Sequence, residues 1–129
     1  MDIISVLNKK RIVYHADGVS DEEILKAENA LGLKFAEEYA DYLRMYALVV
    51  FDAHELTGIC KSSRIDVVAS TMRERNDNAE LSNDMYLIEY VGVENLTIWQ
   101  RSNGVIYEAE YKQKPHKIFD SLSEYIESL

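Results

Sequence analysis

Apolar positions in the first half of the chain recur every three to four residues. In GVSDEEILKAENALG, Ile24, Ala27 and Leu31 fall on one side of a helical wheel. Ser20 followed by Glu23 forms a capping box, and Gly32 stands where a helix ends, so the stretch between them predicts a helix. The next stretch, FAEEYADYLRMY, repeats the pattern. Phe35, Tyr39, Tyr42, Leu43 and Tyr46 share one arc of roughly 120°, a core-facing width, while Glu37, Glu38 and Asp41 lie opposite. Tyrosines in such a stripe are expected to be half-buried, with hydroxyls reaching the core edge. The helix dipole favours carboxylates in the first turn. Asp41 lies beyond that turn and faces Glu37 at i,i+4, a like-charge pair costing about 0.2–0.5 kcal/mol that Arg44 partly offsets. A slightly unfavourable acidic face points to a partner surface.

The flanking segments read less regularly. Residues 3–14 suggest a short first helix, and VVFDAHELTGI one or two short strands around a turn. Residues 64–77 fit a further helix with Ile65, Val68 and Met72 on one side. After residue 84 the pattern changes. MYLIEYVGV predicts a strand ending near Gly92, and LTIWQRSNGVIYEAEYK a hairpin in which Asn103-Gly104 suits a type I′ turn. That turn sets Leu96 opposite Tyr111, Ile98 opposite Ala109 and Gln100 opposite Tyr107 on one face. Trp99 opposite Glu108 and Thr97 opposite Glu110 take the other, where Trp99 is expected to be covered. Ile118 and Phe119 suggest a last short strand. Ser121 and Glu124 then cap an amphipathic helix bearing Leu122, Tyr125, Ile126 and Leu129. This order predicts an α+β fold: an antiparallel sheet of about four to six strands with helices packed on one side, in a single domain over residues 1–129.

Charge narrows the functional classes. The formal net charge is −9, from 23 acidic and 14 basic residues. Residues 1–14 hold three basic residues and one acidic, whereas residues 15–60 hold three basic and ten acidic. Such a surface repels phosphate backbones and anionic lipid, so neither nucleic acid nor membrane is the expected partner; a basic protein is. Acidity also serves solubility. No apolar run approaches the roughly 18 residues that span a bilayer. The N-terminal basic residues follow a short apolar stretch, the wrong order for a secretory signal. The single cysteine, Cys60, precludes an intramolecular disulfide and suits a reducing compartment, so the expected location is cytoplasmic.

Candidate chemistry is thin. His54-Glu55 begins like the zinc-protease helix motif, but Gly58 stands where the second histidine belongs. Cys60 with His54 as nucleophile and base competes with the simpler reading of Cys60 as small apolar packing. Neither a phosphate-binding glycine loop nor a G-x-S-x-G elbow is present. No catalytic, cofactor-binding or metal-ligating residue is therefore assigned.

The segment order carries a resemblance. ENALGLKF followed by AEEYADYLRMY and then HELTGI resembles the SUKH superfamily, the Smi/Knr-type domain. Glu28, Leu31, Gly32, Leu33, Phe35, Tyr39, Leu43 and Tyr46 fall on matching positions, and Phe119, Tyr125 and Ile126 on those of the family's terminal helix. Ala36 replaces the family's usual proline, and Ala47-Leu48 its usual small polar or glycine-rich turn. The resemblance implies a non-catalytic, protein-binding domain. Its bacterial members look mostly like immunity proteins, which neutralise toxins that often carry nuclease domains. An acidic surface occluding a basic active-site cleft would serve that role, with Glu37, Glu38, Asp41, Asp52 and Glu55 as the candidate contacts. The eukaryotic members imply an alternative, a regulatory scaffold that binds signalling or cell-wall synthesis enzymes.

Overall fold

Local signals place the helices and pairing places the strands. The computed structural model describes residues 2–92 and 95–129; Val93, at the end of the MYLIEYVGV stretch, lies outside them. The elements are α1 (Ile3–Asn8), β1 (Ile12–Asp17), α2 (Asp21–Leu31), α3 (Glu37–Met45), β2 (Tyr46–Phe51), β3 (His54–Leu56), α4 (Val67–Asp77), β4 (Met85–Val91), β5 (Leu96–Arg101), β6 (Ile106–Ala109), β7 (His116–Phe119) and α5 (Leu122–Glu127). The fold is α+β, and its strands divide into two antiparallel sheets, β1-β2-β3 and β4-β5-β6-β7.

Where capping residues are present, the helices form as expected. Ser20 Oγ accepts the Glu23 N–H at 3.2 Å, and Gly32 closes α2 at φ 68°. Ser121 caps α5 in the same way. Residues 12–14 do not continue α1. Lys9 ends that helix, and β-branched Ile12 and Val13 join β1, which pairs with β2. No turn follows Tyr46 either, because α3 runs directly into β2.

The tight I′-type turn lies at Asp52-Ala53, with φ 45° and 66°, between β2 and β3. Asn103 does not take a positive φ. Instead Gly104 does, at 94°, and its N–H donates to Arg101 O at 2.9 Å. That three-residue loop moves the β5–β6 register by one from the expected pairs. Thr97 faces Ala109, Ile98 faces Glu108, Trp99 faces Tyr107 and Gln100 faces Ile106. Trp99 is covered as expected, fully buried with Leu81, Met85, Leu87 and Ala109 in a small cluster apart from the main core.

The main core joins α1, α2, α3 and α5 to both sheets. Tyr39 and Tyr42 are completely buried rather than half-buried. Their hydroxyls donate to Thr57 O at 3.2 and 3.0 Å. Burial pushes both hydroxyls well above the usual tyrosine range. Thr57 in turn joins the sheets, its N–H donating to Ile88 O at 2.7 Å and its Oγ1 to Leu87 O at 2.6 Å. Helix α4 begins after Ile65, capped by Asp66, and buries Val67, Ser70 and Thr71, while Met72 is exposed. The buried face includes Ser70 and Thr71 beside Val67, and Thr71 Oγ1 accepts the Leu87 N–H at 3.0 Å, satisfying the edge of β4.

Candidate functional site

The acidic face of α3 is built as its periodicity dictates, but its members have different duties. Glu37 and Asp41 are exposed. Arg44 donates to Asp41 at 2.9 Å and to Asp21 at 2.7 Å, tying the α3 face to the acidic first turn of α2, where Glu22 and Glu23 are also exposed. Between the two helices runs a groove of about 430 Å³ rimmed by Glu28, Glu37 and Asp41, with Lys34 and Arg44 among them. The acids of α2 were not among the sequence-derived contacts; the SDEE run at the capping box was the available signal.

Glu38 serves the interior. Its carboxylate accepts from Leu122 N at 2.7 Å, Ser123 N at 3.0 Å, Ser123 Oγ at 3.1 Å and Gln100 Nε2 at 2.8 Å. It therefore caps α5, a role that no local pattern around residue 38 announces. Asp52 is exposed in the β2–β3 turn, and Glu55 forms a two-pronged bond with Arg64 at 2.5 and 3.0 Å. The five candidates thus belong to two separate elements, α3 and the β2–β3 hairpin.

Titratable groups also meet inside the fold. A register slip between Leu87 and Glu89 turns Glu89 inward, where it is 1% exposed. The Tyr125 hydroxyl donates to its carboxylate, and His54 Nδ1 lies 3.3 Å from both oxygens. The acid within the apolar run LIEYV was its only trace in the sequence. Burial pushes the Glu89 carboxyl above its ordinary range, with Tyr125 and His54 partly opposing. A carboxyl raised in the folded state favours the protonated form. Its contribution to stability is thus complete below the unfolded value of roughly 4.3 and is lost as pH rises through the folded value. Glu89→Gln should therefore gain stability relative to the parent protein as pH rises from acid to neutral. Urea midpoints of the two proteins, compared across pH, check this; a constant difference would remove Glu89 as the source.

None of the curated proteins matches the chain. No helix among the described residues is long and apolar enough to cross a membrane. The family model described as SMI1-KNR4 cell-wall, SUKH_5, matches residues 1–129, the whole chain, and the protein belongs to that family.

Proposed function

We propose that this protein is an immunity protein that binds a basic, nuclease-type toxin one to one in the cytoplasm and blocks its catalytic cleft. Family membership supports a protein-binding role, and the observation that carries this reading is the acidic surface formed by α2 and α3, joined through Arg44. In a chain of net charge −9 it would speed encounter with a basic cleft and hold it without a catalytic residue. Capture of the tagged protein from its native cells should recover such a toxin, silenced on binding. Glu37→Lys combined with Asp41→Lys, leaving Glu38 intact, should weaken the complex by about tenfold or more, read by calorimetry. Unchanged affinity would exclude the α3 face.

The family's own description, cell-wall, favours a second reading: a scaffold that regulates cell-wall synthesis enzymes. Salt separates the two. Binding steered to a basic toxin falls steeply as ionic strength rises, whereas a scaffold contact built on apolar patches does not.

A further inference from the structure

The three-stranded sheet ends in an open edge at β1. That edge carries two of the most exposed apolar side chains among the described residues, Val13 at 64% and Tyr14 at 55%. An open strand edge is a template for pairing, which proteins usually blunt with proline, charge or bulges. β1 has no proline. Its register with β2 slips between Ile12 and Tyr14 and again between Ala16 and Asp17, leaving a short regular run from Tyr14 to Ala16. Charge is polarised along the strand: Lys9, Lys10 and Arg11 precede it, and Asp17 ends it. Neither Arg11 nor Asp17 takes part in an ion pair among the described residues.

We propose that β1 is the contact of a homodimer, two copies pairing edge to edge and antiparallel about a two-fold axis at Tyr14. In that arrangement Tyr14 meets Tyr14 of the second copy and Val13 meets His15. Arg11 meets Asp17 of the second copy, and symmetry makes that ion pair twice. A strand that is basic at one end and acidic at the other is complementary to itself only when antiparallel, which selects a second copy as the occupant. The contact is isologous and uses the same edge on both copies, so it closes as a pair and does not extend into a fibre. A contact this small, well below the roughly 1,600 Å² of a standard interface, gives a dimer that dissociates on dilution.

Sedimentation equilibrium of the full chain tests this. The mass should rise from 14.9 kDa towards twice that value as concentration increases. Arg11→Asp should lower the association constant by about tenfold, as should Asp17→Arg, and the two together should restore it. Tyr14→Lys should abolish association, because it places like charges on the axis. All three side chains are exposed, and an unchanged circular dichroism spectrum and urea midpoint would confirm that each variant folds. A single-chain mass at every concentration would overturn the proposal. So would association indifferent to the charge reversals, or a double variant that fails to restore it.

Discussion

Gly58→Ala is expected to be severely destabilising, although it adds only one methyl group. A Cβ at Gly58 would sit 1.7 Å from Ala47 O and 2.7 Å from Ala47 C, so the backbone itself must move. Three backbone hydrogen bonds converge there. Gly58 N–H donates to Ile65 O at 3.1 Å, Val67 N–H to Gly58 O at 2.7 Å, and Ile59 N–H to Ala47 O at 3.0 Å. Displacing this strand end also pulls on Thr57, which joins the two sheets and receives both buried tyrosine hydroxyls. Overpacking against backbone with loss of buried hydrogen bonds puts the loss at about 3–5 kcal/mol, a large share of the usual 5–15 kcal/mol for a domain. Gly92→Ala is the control, since a Cβ there meets no described atom within 4 Å. Urea unfolding of both variants decides the matter. A small shift for Gly58→Ala would mean that the β2 backbone yields more easily than its bonding indicates.

Glu38→Ala should follow, at about 3 kcal/mol, combining a lost helix cap with buried donors left unpaired. Four hydrogen bonds end on this one carboxylate, from two backbone N–H groups, a hydroxyl and an amide. Gln100 then connects it to Tyr86, whose hydroxyl donates to Gln100 at 2.7 Å and accepts the Ala36 N–H at 2.9 Å. The damage should therefore concentrate where α5 meets α3. Amide exchange of residues 122–127 should accelerate well beyond that of α2. Uniform acceleration would instead indicate global destabilisation with no particular role for the cap. Because Glu38 holds α5, a charge reversal there would report on folding, and tests of the partner surface are cleaner with Glu37 and Asp41 alone.

The chain's order also explains which residues were legible beforehand. Ser20, Glu23 and Gly32 act within a few residues of one another, so their geometry is written locally. The same holds for Ser121 and Glu124. The stripe of Tyr39, Tyr42 and Leu43 identified a buried face, and their full burial required both sheets to close over it. Ile65, Val68 and Met72 looked like the inner side of α4 by hydrophobicity; Ile65 is buried and Val68 packs against the main core, but Met72 is exposed. The β4 edge also required hydrogen-bond acceptors, and Thr71 supplied one.

Sequence alone determined the α+β class, the capped helices, the buried tyrosine stripe, the acidic balance and the family likeness, because each rests on periodicity, composition or contacts a few residues apart. Tertiary structure decided the rest. It split the strands into two sheets, turned residues 12–14 from helix to edge strand, and set the β5–β6 register through Gly104. It also gave Glu38 to α5 and Glu89 to Tyr125 and His54. Those partners lie from 35 to 85 residues apart in the chain. No local pattern encodes such a pairing, since a carboxylate's duty depends on which donors the folded backbone brings within reach.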